Sequence, residues 1–253
     1  MTSGLRTVGL SKSYGNTRAL DGVSLIVAPG EMVVVLGPSG SGKSTLFRCI
    51  TRLTEPDAGE VYVDSTPIHA LRGRALAKAR RDIGVVFQQF NLIRRRTALE
   101  NVLAGRLGAA PLWRVVSGRF DDGDYAVAYA ALDAVGLAEK AHQRADTLSG
   151  GQQQRVAIAR AVAQRSKILL ADEPVASLDP ASAVAVLSIL KGLTRTSGLA
   201  VLCTLHQPHL AEQFADRIVE MRDGRLVGSV AVTASSVSVG QDGYPGVPCA
   251  VAG

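Results

Sequence analysis

A glycine-rich segment near residue 40 has the residue types and spacing of a phosphate-binding loop. The run Gly37-Pro38-Ser39-Gly40-Ser41-Gly42-Lys43-Ser44 fits the pattern G-x-x-x-x-G-K-[ST]. Glycines let such a loop wrap so that backbone N–H groups point at phosphate oxygens, and the following helix contributes its positive N-terminal end. We expect Lys43 to reach the β- and γ-phosphates of a nucleotide and Ser44 to offer its hydroxyl to Mg²⁺.

Two adjacent acidic residues follow an apolar segment later in the chain. Residues 168–171 (ILLA) read as a buried strand, and Asp172 and Glu173 stand at its carboxyl end. In open α/β sheets that edge is where ligands bind. We expect Asp172 to hold Mg²⁺ through water and Glu173 to polarise an attacking water as general base. Taken alone, the two acids could equally cap the strand or the next helix.

A second segment has the features of an anion site. The run Leu148-Ser149-Gly150-Gly151-Gln152-Gln153-Gln154-Arg155 precedes a predicted helix over 151–164. Ser149 stands at the helix N-cap, and Gly150 and Gly151 expose N–H groups at that end. One chain does not easily bring both anion sites to the same triphosphate.

The strands that must position these residues are predicted from hydropathy. Extended segments are expected over 5–10 and 24–28, and a half-exposed strand over 60–64. Asp223-Gly224 predicts a tight turn between paired strands over 217–221 and 225–230. Short apolar runs that suit a parallel sheet buried on both faces occur at 32–36, 83–87, 168–171 and 199–205.

Helical patterns fill most of the remaining chain. Leu46, Phe47, Ile50 and Leu53 form one stripe, and a further helix is predicted over 181–196. Residues 97–147 are helical without a convincing strand. We therefore predict one domain over 1–229, with a helical subdomain inserted at about 92–147, and a loosely held tail over 230–253.

Composition narrows the classes of protein. The 253 residues are 47% hydrophobic and 20% charged, which excludes wholesale disorder. No run approaches the roughly 18 apolar residues of a membrane-spanning helix, and the first residues lack the apolar segment of a secretory signal. Cys49, Cys203 and Cys249 lack metal-ligand spacing. These features predict a soluble protein of the reducing cytoplasm.

Positive charge is concentrated in one part of the chain. The net charge is +6, and residues 72–119 hold eleven Lys or Arg against two acids. Such a segment suits nucleic acid, an anionic membrane surface or an acidic partner, and it is equally typical of a solvated arginine-rich face. Charge alone does not choose among them.

The combination of the phosphate loop, Asp172-Glu173, His206 and the run 148–155 resembles the ATP-binding subunits of ABC transporters over residues 5 to about 229. The resemblance implies an α/β P-loop NTPase of ABC type: a mainly parallel sheet core, an N-terminal antiparallel β subdomain and a helical subdomain. It also implies a head-to-tail homodimer, in which the run 148–155 of one subunit closes on ATP held by the phosphate loop of the other.

The same resemblance assigns further roles. Tyr14 matches the aromatic residue that stacks on adenine, and Gln88 matches the glutamine that touches Mg²⁺ and water. Asp179 matches a loop that links the two sites, and His206 matches the histidine that contacts the γ-phosphate. The implied catalytic residues are Glu173, His206, Gln88 and Lys43; the implied metal-binding residues are Ser44, Gln88 and Asp172. The implied ATP-binding residues are Tyr14, Gly37, Pro38, Ser39, Gly40, Ser41, Gly42, Lys43, Ser44, Thr45, Ser149, Gly150, Gly151 and Asp179.

Within the family the chain is most similar to the ATP-binding subunits of phosphonate importers. The similarity is carried by residues 87–92, 101–108, 113–114, 118–120, 144–146 and 171–180. One departure is Pro208-His209, where that branch more often has Val-Asp. The resemblance implies transmembrane permease subunits and a substrate-binding protein as partners, no nucleic acid, and a peripheral position on the cytoplasmic face of the cell membrane.

Three other functions remain open on the sequence. The chain could serve another ABC importer or a lipoprotein-release system, or be a non-transport ABC ATPase that acts on DNA or ribosomes. It could also be a nucleotide-binding regulator with little turnover, although the presence of Glu173 and His206 argues against that.

Overall fold

The computed structural model describes residues 4–108 and 120–232. Its strands are β1 (Leu5–Tyr14), β2 (Thr17–Val27), β3 (Met32–Leu36), β4 (Ala58–Val63), β5 (Thr66–Pro67), β6 (Ile83–Val86), β7 (Ile168–Asp172), β8 (Ala200–Leu205), β9 (Arg217–Arg222) and β10 (Arg225–Ala231). Its α-helices are α1 (Lys43–Ile50), α2 (Gly73–Ala79), α3 (Ala98–Leu103), α4 (Asp122–Ala134), α5 (Gly150–Ala163), α6 (Pro180–Ser197) and α7 (Pro208–Phe214).

A six-stranded sheet forms the centre of the fold, in the order β10-β9-β3-β8-β7-β6. Every pairing from β9 to β6 is parallel, and only β10 runs antiparallel to its neighbour. All residues of β3 and β8 are buried, as continuous apolar runs in a two-sided sheet should be. The carboxyl ends of β3, β6, β7 and β8 therefore lie side by side at one end of the sheet. The predicted site residues come directly after these strand ends.

A second, four-stranded sheet packs beside the first, in the antiparallel order β2-β1-β4-β5. Its inward side chains, such as Leu10, share one apolar cluster with Phe47 of helix α1 and with residues of the parallel strands, such as Val35. The helix that follows the phosphate loop is thus held between two sheets, which fixes the direction of its N-terminus.

Helices α3 and α4 lie between β6 and β7 in sequence, and they pack on α5 in the other large cluster, with Val102, Leu132 and Ile158 fully buried. Thr97 and Glu100 form a capping box that starts α3. The boundaries predicted for this subdomain stay a prediction. Trp113-Arg114 and Gly118-Arg119 lie outside the described residues, as do Cys249 and residues 233–253 of the predicted tail.

The structure differs from expectation at several element ends. Helix α1 ends at Ile50, and Leu53 is 64% exposed, so it does not belong to the buried stripe. Strand β10 extends through Ala231, so the first two residues of the predicted tail are paired with β9. No helix within residues 4–108 and 120–232 combines the length and the hydropathy needed to cross a bilayer.

Candidate functional site

The phosphate loop joins β3 to α1 in a path that only glycine permits at two points. Gly42 has φ +106°, and a Cβ there would lie 2.4 Å from the carbonyl oxygen of Ala19. A Cβ at Gly37 would lie 2.3 Å from the carbonyl oxygen of Met221. Because neighbouring backbone leaves no space at these positions, the loop keeps its tight wrap and the start of α1 stays open to an anion.

Lys43 begins α1, and its side chain lies back along the loop. Its Nζ donates hydrogen bonds to the carbonyl oxygens of Gly37 (2.7 Å) and Pro38 (2.9 Å), and the residue is 5% exposed. Burial lowers the pKa of Lys43, while the negative charges of Glu173 and Asp172 act in the opposite direction. The lysine predicted to bind phosphate is therefore close to both predicted acids.

Asp172 ends β7, and Glu173 is the first residue beyond it. Glu173 has φ +49°, in the left-handed region that a non-glycine residue rarely adopts. Thr204 Oγ1 donates to Asp172 Oδ1 (2.9 Å) and accepts from the Glu173 N–H (2.8 Å). Sequence reasoning missed Thr204; its only signal was a hydroxyl within an otherwise apolar strand.

His206 follows β8 and contacts Glu173. The two side chains are joined by a hydrogen bond of 2.5 Å between His206 Nε2 and Glu173 Oε1. In a bond to an ionised carboxylate, Nε2–H is the donor. A cavity of about 120 Å³ adjoins the pair and is large enough for water. The structure thus brings Lys43, Asp172, Glu173 and His206 to the carboxyl edge of the sheet.

The predicted anion site at Ser149 forms a second group with its own neighbours. Ser149 and Gln152 make a reciprocal capping box at the start of α5, with bonds of 3.3 and 3.1 Å. A Cβ at Gly151 would lie 2.6 Å from Ser182 Oγ in the first turn of α6. Asp179 caps α6 by accepting from the Ser182 N–H (2.9 Å), and its bonds with Ser182 lower the pKa of Asp179.

Gln88 is exposed two residues beyond β6, at the same edge as Asp172. The chain just after it is held by α5, because the Arg160 guanidinium donates to the carbonyl oxygens of Asn91 (2.6 Å) and Phe90 (3.3 Å). Arg155, on the same helix, donates to the carbonyl oxygen of Val135 beyond the end of α4 (3.1 Å).

Tyr14 is the last residue of β1 and is 47% exposed. Lys12 Nζ lies 5.6 Å from its ring centroid and forms an ion pair of 2.6 Å with Asp57. Asp57 also accepts from the Ser13 N–H (2.7 Å), so both residues before Tyr14 are fixed to the loop that precedes β4. An exposed aromatic face at a fixed position suits a stacked base.

The oxygen atoms at the sheet edge fit a small hard cation. Ser44 is exposed in the first turn of α1, and Asp172 presents a carboxylate at the end of β7. Hydroxyl and carboxylate oxygens are the ligands that Mg²⁺ prefers, in combination with substrate phosphates and water. The donor set is therefore compatible with the predicted metal.

Comparison with known proteins identifies the family. The family model for the ABC transporter matches residues 20–176. The chain belongs to the ABC transporter family. Among curated relatives of this ABC subunit, the phosphonates import ATP-binding protein PhnC of Lactobacillus johnsonii is 45% identical over 238 residues, which is 94% of each chain. The hypophosphite import ATP-binding protein HtxD of Stutzerimonas stutzeri is 51% identical over 223 residues, which is 88% of this chain and 65% of that relative.

Solved structures agree with this assignment. A dimeric ATP-binding cassette, MJ0796, bound to ADP and Pi has a TM-score of 0.78 and 38% identity, and the match covers 91% of this ABC subunit and 99% of that chain. An ADP-bound cassette of another ABC transporter, MJ1267, has a TM-score of 0.80 at 29% identity, over 91% and 92% of the two chains. The predicted family, the P-loop fold and the function of an ATP-hydrolysing transport subunit are therefore confirmed.

Proposed function

We propose that this chain is the ATP-hydrolysing subunit of an importer that takes up phosphonates through a separate permease. The convergence of Lys43, Asp172, Glu173 and His206 at one sheet edge supports the hydrolytic part. The substrate class is supported by the names of the relatives, because the transported molecule meets the permease and the binding protein. Hypophosphite is a second candidate, since one relative at 51% identity carries that name.

The proposed reaction is attack of water on the γ-phosphorus of ATP. As the new P–O bond forms, the bond from that phosphorus to the bridging oxygen breaks, and ADP and phosphate leave. Glu173 orients the water and takes its proton, while Lys43 and His206 offset charge on the phosphate oxygens. Ser44, Asp172 and Gln88 would hold Mg²⁺, which supplies further stabilisation of phosphate charge.

We assign the second anion site to a homodimer. Ser149 is exposed, and the segment that it starts contacts α5 and α6, whereas Lys43 of the phosphate loop is close to Asp172 and Glu173. A second copy in head-to-tail orientation would supply its Ser149 to the γ-phosphate. Binding of ATP then joins the two copies, and hydrolysis releases them.

In the proposed complex the dimer binds two transmembrane permease subunits and is peripheral on the cytoplasmic face of the membrane. A substrate-binding protein delivers the phosphonate, and nucleic acid has no part.

The direct test is reconstitution of the full complex in vesicles. A phosphonate with its binding protein should stimulate ATP hydrolysis. If hypophosphite stimulates hydrolysis and phosphonates do not, hypophosphite is the substrate instead. If none of the phosphorus oxyanions stimulates hydrolysis, the proposal is refuted.

Removal of the Tyr14 ring should weaken ATP binding through the base. We expect Tyr14→Ala to reduce ATP affinity by about 1–3 kcal/mol, the usual effect of losing one base-stacking aromatic. Affinity for inorganic tripolyphosphate should stay the same, because the phosphate loop is intact. Calorimetry with both ligands measures the difference, and Tyr14→Phe is the matched control. An equal loss for both ligands would show that Tyr14 supports the loop and not the base.

Reversal of the arginine charges at 94–96 should impair membrane assembly and spare ATP binding. All three residues are exposed, and within residues 4–108 and 120–232 only Arg96 of the three forms an ion pair, with Glu100 at 2.7 Å. We propose that these cations meet acidic residues of the permease or anionic lipid. Co-purification of the triple Arg→Glu variant with the permease should fall, whereas Arg195→Glu should behave as wild type. Binding of the wild-type chain to anionic vesicles that contain no permease would identify lipid, and not the permease, as the partner. Intact assembly of the triple variant contradicts the hypothesis.

A further inference from the structure

Thr204 is a polar residue in a strand whose other members are all apolar. It is fully buried in the centre of the sheet, and it lies directly opposite Asp172 in the parallel pairing of β7 and β8. A buried hydroxyl without partners is unfavourable, so its hydrogen bonds explain its presence in this position.

Both hydrogen-bonding capacities of this hydroxyl are directed at the two predicted acids. Its proton goes to Asp172 Oδ1 at 2.9 Å, and its oxygen receives the N–H of Glu173 at 2.8 Å. One atom therefore fixes the side chain of the first acid and the backbone of the second. The Asp172 carboxylate and the Glu173 backbone are thus linked through one side chain of the neighbouring strand.

The bond to the Glu173 N–H acts where the backbone is unusual. Glu173 has φ +49°, which turns its side chain away from the strand direction and toward His206, 2.5 Å away. A conformation that L-residues rarely adopt persists when surrounding contacts determine it. Thr204 supplies such a contact directly at this peptide.

We propose that Thr204 is a positioning residue, which sets the metal-holding carboxylate of Asp172 and the water-orienting carboxylate of Glu173 in register with each other. The inference rests on the proposed function, because it takes the roles of the two acids from there. Thr204 is fully buried and its hydroxyl is bonded to the two acids, so it acts through them.

The test compares Thr204→Val, which keeps the shape and removes the hydroxyl, with Thr204→Ser, which keeps the hydroxyl. Thr194→Val is the matched control, because Thr194 is also buried but bonds the Lys191 carbonyl oxygen within α6. Three quantities are measured on the full chain: ATP affinity in EDTA, Mn²⁺ affinity with ATP bound in a Glu173→Gln background, and kcat of the assembled complex.

We expect Thr204→Val to bind ATP in EDTA within twofold of wild type. Its Mn²⁺ affinity and its kcat should each fall by about 10- to 100-fold, the usual effect of removing a residue that orients a metal ligand. Thr204→Ser should recover most of both losses, and Thr194→Val should show neither. A merely structural role would lower melting temperature without this selective loss of Mn²⁺ affinity.

Unchanged Mn²⁺ affinity in Thr204→Val, or a serine variant as impaired as the valine variant, overturns the inference. If the valine variant lacks a cooperative melt, Thr204→Cys replaces it, and equal Mn²⁺ affinity of the Thr, Ser and Cys proteins overturns the inference. Failure of the proposed function is a separate result: wild-type complex that binds ATP and Mn²⁺ but does not hydrolyse ATP would refute the proposed activity and leave the Mn²⁺ comparison valid.

Discussion

Glu173→Gln should keep ATP binding and cut ATP turnover by at least about two orders of magnitude, the lower end of what a general base contributes. This corresponds to at least about 2.7 kcal/mol of transition-state stabilisation. Glutamine preserves the size of the side chain and leaves the backbone bond to Thr204 intact. It does not accept a proton from water, so the loss falls on the chemical step.

The measurement is single-turnover hydrolysis by the complex assembled with its permease, beside calorimetric ATP affinity of the same variant. Glu139→Gln, at an exposed position of the helical region, is the control for the loss of one carboxylate. Near-normal hydrolysis by the Glu173 variant would remove this residue from the role of base. A lost affinity for ATP would instead indicate that the substitution disturbs the phosphate loop.

Lys43→Ala should have its main effect on nucleotide binding. Hydrogen bonds to charged groups contribute about 1.5–3 kcal/mol each, so we expect ATP affinity to fall at least about tenfold. We expect a larger effect than for a surface lysine, because the Lys43 ammonium is buried, donates to two loop carbonyl oxygens and interacts with the negative charges of Asp172 and Glu173.

Calorimetry with ATP measures this loss, and Lys78→Ala on the exposed surface of α2 controls for the change in net charge. The alanine variant also loses the bonds to the Gly37 and Pro38 carbonyl oxygens, so its melting curve is recorded as well. Unchanged affinity in a folded variant would contradict the assignment of residues 37–44 as the phosphate loop.

Continuous apolar runs were sufficient to predict the central strands of the parallel sheet. The runs at β3, β7 and β8 are buried on both faces, so their hydropathy is continuous and their ends are sharp. The Asp223-Gly224 turn was also predictable, because Asp-Gly readily adopts the positive φ of a type I′ hairpin turn, and both residues have it here.

Elements at the periphery were less predictable. The second half of β1 is partly exposed and mixed in polarity, so only its first half has a readable pattern. Leu53 continued the apparent stripe of α1 by spacing alone, although the helix had already ended. Helix α7 begins at Pro208, and a proline at the first helical position removes no hydrogen bond. The departure Pro208-His209 noted in the sequence thus lies at the start of a helix, which apolar periodicity did not predict.

Site residues within one segment were readable from sequence, whereas contacts between segments were not. The loop at 37–44 and the Asp172-Glu173 pair follow from local pattern and strand ends. The bond between Glu173 and His206 and the bridge through Thr204 depend on how β7 pairs with β8, which no local pattern states.

The arginine contacts of α5 connect Ser149, at the start of this helix, to the chain near Gln88 and to the end of α4. Arg160 lies eleven residues beyond Ser149, which is about 16 Å along the helix axis. Its guanidinium donates hydrogen bonds to the backbone just past Gln88. Arg155 hydrogen-bonds the same helix to the backbone at the end of α4. As long as the Arg160 bonds hold, a displacement of the chain at Phe90 is therefore transmitted through α5 to Ser149 at its start.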